Sequence, residues 1–596
     1  MVDFVSLMVA IRLTRRNFLA QGALATLAAG SSSLLADARP FNDLPMPAAH
    51  GPLDEQLDAY IGSYMPGMNA PGLTLGLTDA GQTLRTAGYG FAHIEEKVPV
   101  GVDHLFQIGS ITKSFVAVVL LQLREDGKLD VQKPILDYLP GLPITEGFGT
   151  ITVHHLLTHT SGLPDNLGLF SSDPSARLVQ GFKPGEHFHY CNAGFDILGL
   201  LAVKLDGRPW RKCVEARVLA PLDMTATQGV ITTASRDRAA QGYEAYWDDQ
   251  VYPQQGKLAP APNQVMDDTA GCIASTPGDM AKYLRMLLNR GAGPRGRVLS
   301  EESFTLFSTA YIKAEEFSPT ASYGYGVAVD TLDGHKILRH TGGMVAFASS
   351  MHVDLDGGVA AFASINAMQG YRPTAVTEYA VRLLRAQRES KPLPAAPQLT
   401  DPRDVANAAE YAGTFTASED KALVFTADGK RLFLDTGSEK IPLQHAGGDA
   451  FLSTIAGRYA DYPIVFGRKE ETHEKPAAAG KDASKPKQPV VEVSYGPAGY
   501  GNASYTGARS FAAPTEWQQY AGRYRCDSPW GGDTFVFVLK DKLTISGSPL
   551  TPIGGGLFRP GDEPWAPETA EFLHVFEGKA RLLKLLGMDF WRVEVD

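Results

Sequence analysis

Apolar and polar positions change their rhythm several times along the chain. PLDEQLDAYIGSY, residues 52–64, reads as a helix, and GLTLGLTDAGQTLRTAGYGFA after it reads as two alternating strands flanking an Asp-Ala-Gly-Gln turn. Lys113 to Asp126 carries a helical pattern that stops at Gly127, a residue suited to ending a helix. A long middle section is mostly helix and loop. Strands return as YGYGVAVD, HKILRHTGG, FASSMHVDL and GVAAFASINA, with Asp-Gly turns among them. The helix TAVTEYAVRLLRAQ closes the region with Val376, Tyr379, Ala380 and Leu383 on one face. Helix and strands, an all-helical insertion, then strands and a last helix predict one α/β (α+β) unit over residues 45–390. Its single antiparallel sheet would be flanked by helices.

KPLPAAPQLTDPRD, residues 391–404, is proline-rich and reads as a linker. Beyond it the chain turns to short strands and repeats itself. Tyr411-Ala-Gly-Thr-Phe415 matches Tyr520-Ala-Gly-Arg-Tyr524, and each copy runs on into strands joined by a charged turn. Two small antiparallel β-barrels or sandwiches are expected, at residues 405–510 and 515–596. EETHEKPAAAGKDASKPKQP, residues 470–489, is a low-complexity insertion in the first copy and reads as a solvated loop.

Bulk composition narrows the field. At 596 residues, with 44% hydrophobic and 20% charged residues, the chain has the make-up of a multidomain globular protein. A net charge of −11 leaves no basic field for a nucleic-acid partner. The body of the chain has no apolar run of about 18 residues to span a bilayer. Near the N-terminus, Thr14-Arg15-Arg16-Asn17-Phe18-Leu19 is a twin-arginine pattern before a weakly apolar stretch, and Ala36-Asp37-Ala38 supplies a small-x-small cleavage site. Residues 1–38 are therefore expected to be an export signal that delivers the folded chain to a periplasmic or extracellular space, without a stable membrane anchor. Cys191, Cys213, Cys272 and Cys526 are too scattered for a disulfide framework or a zinc site and are expected to be small buried residues.

Candidate chemistry begins with Ser110-Ile-Thr-Lys113. A serine needs a neighbour to take its proton, and residues three apart share a helix face, so Lys113 can reach Ser110 at a helix start. The positive helix end and nearby cations would favour a neutral lysine. Gly109 permits tight backbone entry. The pattern recurs at Ser484-Lys-Pro-Lys487 inside the solvated loop, where a hydrated lysine would be useless as a base. Tyr190-Cys-Asn192 then stands in a loop before the helix FDILGLLAVKL, offering a proton relay and an amide that anchors substrate or lysine. Tyr500-Gly-Asn502 is a decoy for that pattern. His340-Thr341-Gly342-Gly343 occurs once, on a strand whose glycines let a substrate backbone lie alongside.

In this order, with ITVHHLLTHTSGLP at 151–164 and AGCIASTPGDMAKYLRMLLNRG at 270–291, the set resembles the serine β-lactamase and penicillin-binding-protein superfamily, closest to its class C-like branch. That branch includes D-alanyl-D-alanine carboxypeptidases, D-aminopeptidases and esterases. The resemblance covers about residues 50–390. It implies Ser110 as acylated nucleophile, Lys113 as its proton acceptor, Tyr190 as base and acid, and Asn192, His340, Thr341 and Gly342 as substrate-binding residues. The backbone N–H groups of Ser110 and Gly343 would form the oxyanion hole, with no metal and no cofactor. Small peptide, ester or β-lactam substrates follow from the same resemblance. Two departures stand out: His340 replaces the usual third-motif lysine with a weaker, pH-dependent cation, and Cys191 replaces a serine or alanine. The first tilts expectation from β-lactams toward D-aminopeptidase-like or esterase chemistry; the second is expected to be structural, its alternative being an oxidation-sensitive neighbour of the site. His154, His155 and His159 have metal-like spacing without a carboxylate motif, and the resemblance makes them structural. The tail barrels are either passive or, as a D-aminopeptidase likeness implies, packed so as to narrow the cleft.

Overall fold

The described residues of the computed structural model are 44–165, 169, 176–245, 258–262, 268–367, 373–399, 403–418, 421–454, 458–469, 488–528 and 530–593. The twin-arginine segment, residues 400–402 of the linker, and nearly all of the 470–489 insertion with its second Ser-x-x-Lys lie outside them.

Helix α1 (Pro52–Gly67) leads into β1 (Gly72–Asp79), β2 (Thr83–His93) and β3 (Val98–Pro99). The middle section holds α2 (Thr112–Glu125), α3 (Asn192–Asp206) and α4 (Pro277–Leu288). Then come β4 (Ile312–Lys313), β5 (Ser322–Tyr323), β6 (Ala328–Leu332), β7 (His335–Met344), β8 (Phe347–Asp354), β9 (Val359–Ile365) and α5 (Thr374–Arg388). These strands form one antiparallel sheet in the order β4-β5-β6-β7-β8-β9-β1-β2-β3. Leu73 pairs with Ile365, so the N-terminal strands close on the C-terminal ones.

The sheet is covered on both faces, which changes what its strands need. On β9, Val359, Ala361, Ala363 and Ile365 join the core beneath α1 and α5, while Ala360 and Phe362 join the core of the helical region. On β1 the leucines Leu73, Leu75 and Leu77 face α1 and α5. A Cβ on Gly76 would lie 2.5 Å from the Pro277 carbonyl oxygen at the start of α4. The period-two pattern of β1 therefore separates large from small residues, not buried from exposed ones.

YGYGVAVD is not one strand. It splits into β5 and β6 because the chain bends at Gly326 (φ 67°), where a Cβ would lie 2.5 Å from the Lys113 carbonyl oxygen.

Both tail repeats are closed eight-stranded antiparallel barrels, not sandwiches. Thr416 pairs with Gly501 to close the first, and Tyr524 with Arg592 to close the second. In each repeat the Tyr-Ala-Gly motif stands at the end of a 3-10 segment and leads into the first strand, burying Phe415 in one barrel and Tyr524 in the other. The linker is docked. Gln56 Nε2 and Tyr379 Oη both donate to the Pro394 carbonyl, at 2.5 and 3.1 Å, and Leu393 packs on the α1–α5 core. The barrels meet through Tyr462, whose ring lies 4.6 Å from Phe535 and 5.4 Å from Phe537. One apolar cluster runs from Val100, Phe106 and the β7–β8 turn residues Met344 to Phe347 into Tyr524 and Trp530 of the second barrel.

Candidate active site

Ser110 sits in a 3-10 turn, Gly109–Ile111, that runs directly into α2. The turn touches β7 backbone to backbone. A Cβ on Gly342 would lie 1.8 Å from the Ile108 carbonyl oxygen, and one on Gly109 (φ 54°) 2.5 Å from the Gly343 nitrogen. Ser349 Oγ, from β8, donates to the same Ile108 carbonyl at 2.7 Å. Only glycines allow this approach, which sets the main chain of the Ser110 turn beside that of Gly343.

Lys113 is fully buried one turn along. Its Nζ lies 3.2 Å from Ser110 Oγ, 2.7 Å from Asn192 Oδ1 and 2.8 Å from the Ala270 carbonyl oxygen. Burial pushes its pKa down to about 8, against the pull of the Asp268, Asp165 and Asp196 carboxylates, which favour the ammonium. The neutral lysine expected from nearby cations thus has another cause: desolvation favours it and the surrounding charges oppose it. Burial raises two of these carboxyls, Asp165 and Asp196. Asp196 is held well above its usual range by burial and by its hydrogen bond to Asp268. Both carboxyls accept from the Ala270 N–H, Asp268 Oδ1 at 2.7 Å and Asp196 Oδ1 at 3.1 Å, so the pair fixes the peptide whose carbonyl holds Lys113.

Tyr190 and Asn192 come to the site from the start of α3, whose N-cap is Cys191. Lys113 Nζ lies 5.0 Å from the Tyr190 ring centroid. Asn192 turns its carbonyl to the lysine, while its backbone N–H and Nδ2 donate to Asp165 at 2.7 and 3.4 Å. Cys191 Sγ accepts from the Gly194 N–H and contacts the Pro164 carbonyl, a helix-capping role. His159 stacks on Tyr190 with centroids 4.1 Å apart and accepts the Cys191 N–H on Nδ1 at 3.0 Å, so the imidazole proton sits on Nε2. Burial holds His159 neutral, well below its usual range. His155 shares a capping box with Thr152, and His154 Nδ1 meets Tyr325 Oη at 2.8 Å. The three histidines bond to separate partners.

His340 is 1% exposed, not an open cation. Its Nδ1 lies 2.5 Å from the Thr341 carbonyl oxygen and its Nε2 2.9 Å from Tyr323 Oη. Nδ1 donates to that carbonyl, and Nε2 shares a hydrogen bond with the Tyr323 hydroxyl. Phe317, 5.3 Å away between centroids, covers it. Sequence reasoning placed Ser110, Lys113, Tyr190, Asn192 and the His340 motif in one site, and they do converge. It missed Asp165, Asp196, Asp268 and Tyr323, which stand in no recognisable spacing.

The family model described as Beta-lactamase matches residues 57–386, more than half of the 596-residue chain. The chain belongs to the β-lactamase family. Penicillin-binding protein 4 of Amycolatopsis lactamdurans is 28% identical over 340 residues, covering 53% of this chain and 85% of that protein. Penicillin-binding protein 4* of Bacillus subtilis is 24% identical over 385 residues, covering 61% and 83%. Among solved structures, the octameric penicillin-binding protein homologue from Pyrococcus abyssi is 23% identical with a TM-score of 0.52, over 70% of this chain and 96% of that one, a likeness of fold. The matched span of this β-lactamase-family chain coincides with the sheet and its helices and stops at the linker.

Proposed function

We propose that this β-lactamase-family protein is a serine hydrolase that forms an acyl-enzyme on Ser110. The carrying observation is the three-way contact of Lys113. A neutral amine has two N–H groups, which Asn192 Oδ1 and the Ala270 carbonyl satisfy, leaving the lone pair directed at the Ser110 hydroxyl 3.2 Å away. Ser110 Oγ attacks the substrate carbonyl carbon as its proton passes to Lys113 Nζ. The oxyanion forms beside the N–H groups of Ser110 and Gly343. Tyr190 delivers a proton to the departing amine or alcohol as the carbonyl reforms, and is reprotonated through Lys113. Water then attacks the ester, passes a proton to the Tyr190–Lys113 pair, and the acid leaves as Ser110 regains its own.

Substrates are amides or esters, foremost D-amino-acid-containing peptides handled as a D-aminopeptidase would. His340, buried and engaged with Tyr323, supports that preference over a carboxypeptidase or efficient β-lactamase, which would use an open cation there for the substrate carboxylate. Ester hydrolysis or weak β-lactam hydrolysis is the second reading, on the same site. The twin-arginine pattern at residues 14–19 supports a periplasmic or secreted location. The test is intact-mass spectrometry after exposure to a fluorophosphonate and to a panel of D-aminoacyl amides, acyl esters and β-lactams. Wild type should gain a single adduct on Ser110, and S110A none. An unmodified Ser110 with no turnover of any substrate overturns the reading in favour of a penicillin- or peptidoglycan-binding protein without catalysis.

A further inference from the structure

The second barrel reaches the catalytic domain through the loop between its strands Leu557–Pro560 and Ala570–Phe576. Trp565, on that loop, stacks on His187 with centroids 4.5 Å apart and planes 10° apart, and meets Phe182 edge-on at 5.2 Å. The seat is close-fitting: a Cβ on Gly181 would lie 2.5 Å from the Trp565 carbonyl oxygen and 2.8 Å from Pro567 Cα. Three residues on, Glu568 Oε1 lies 2.6 Å from His189 Nε2 and accepts the Asp165 backbone N–H at 3.2 Å. Both partners are buried, and both belong to segments that build the active site. His189 precedes Tyr190. Asp165 accepts the Asn192 N–H at 2.7 Å and its Nδ2 at 3.4 Å, and Asn192 in turn holds Lys113 at 2.7 Å.

We propose that Glu568, carried by the second barrel, is a positioning residue of the acyl-transfer site: it clamps His189 to Asp165 and thereby fixes Tyr190, Asn192 and Lys113. The inference rests on the acyl-enzyme reading above. Residues 164–165 and 188–192 are loop or helix-start segments that meet through side chains, Asp165 at the Asn192 N–H and the Cys191 thiol at the Pro164 carbonyl, while His189 N–H donates to the His159 carbonyl at 2.8 Å. One carboxylate oxygen that accepts from both segments sets their spacing directly. Its charge also bears on the site, since Glu568 is among the groups that raise the Asp165 carboxyl, after burial itself. A barrel that merely covered the domain would need Trp565 and its apolar neighbours but no half-buried carboxyl turned onto His189 and Asp165. Because the amide oxygen of a glutamine accepts the same hydrogen bonds, geometry and charge are separable by substitution.

The experiment measures the pre-steady-state burst of full-length protein with p-nitrophenyl acetate. E568A should acylate at least about tenfold more slowly at saturating ester, within the range of up to about 100-fold that misplacing a catalytic group by ~1 Å costs. The half-saturating ester concentration should stay near that of wild type, and E568Q should recover most of the rate. If E568A does not fold, E568L, which keeps the side chain's bulk, takes its place. Acylation of E568A or E568L at the wild-type rate overturns the proposal, as does an E568Q burst as slow as theirs. A wild type that shows no burst and no Ser110 adduct overturns the acyl-enzyme reading itself, a result distinct from either.

Discussion

Lys113 can donate three hydrogen bonds as an ammonium and two as an amine, and the site offers two fixed carbonyl acceptors besides the serine. Activity should therefore follow its deprotonation, rising with pH through about 8. The carboxylates around it work in the opposite direction, Asp268 most strongly. D268N removes that attraction for the ammonium while the new amide oxygen still accepts from Ala270 N–H. The lysine's pKa falls, so the acidic limb of the pH–kcat/KM profile should move to lower pH. Asp196 pulls on Lys113 less than Asp268 does, and burial and its hydrogen bond to Asp268 raise its own carboxyl, so D196N should move the limb less. A limb unmoved in D268N would mean that Lys113 is not the group titrating.

Among elements, the decisive contact is between the Ser110 turn and β7. Neither could be positioned by its own hydrogen bonds alone: the turn is three residues long, and β6 pairs with β7 only as far as Arg339. From His340 onward, β7 is held by β8 on one side and by the Ile108–Ser110 turn near its other edge. G342A drives a methyl group into the Ile108 carbonyl oxygen, and two backbones must part to admit it. Overpacking of this kind costs about 1–3 kcal/mol. The thermal midpoint should fall, and the acylation rate should fall by about 100-fold, the scale of a ~1 Å displacement at a reacting centre. Calorimetry and burst kinetics on one preparation check both. An unchanged burst would show that the turn and strand do not share the site.

Across the whole molecule, catalytic domain and barrels form linked apolar contacts. Met344, Val345, Ala346 and Phe347, next to the His340 motif, share a buried cluster with the second barrel, and Tyr462 ties the barrels to each other. Removing residues 400–596 should expose that cluster. The truncated chain should melt at a lower temperature and bind a hydrophobic dye that the full chain does not, at about 25 cal/mol lost per Å² of apolar surface uncovered. A truncated chain that keeps its melting temperature and stays dye-silent would show the barrels to be passive.

Local chemistry was written in the sequence. Ser110 and Lys113 stand three apart where a 3-10 turn runs into α2, close enough for their side chains to meet, while strand and helix periods outlined the sheet, proline content the linker and an internal repeat the two tail units. The closure of the sheet, Leu73 on Ile365, is also consistent with those periods but needs the chain ends to meet. Burial was not legible, because it depends on what packs from elsewhere. His340 reads as a cation and is a covered, hydrogen-bonded ring because Tyr323 and Phe317 close on it. Lys113 reads as activated by cations and is activated by desolvation among carboxylates. Asp165, Asp268 and Glu568 stand in no motif; their partners are 27 residues away in one case and 379 in another. Residue type and spacing determined which groups can react. Only the tertiary structure decided their protonation, because a charge's free energy is set by the water and neighbours that folding removes or supplies.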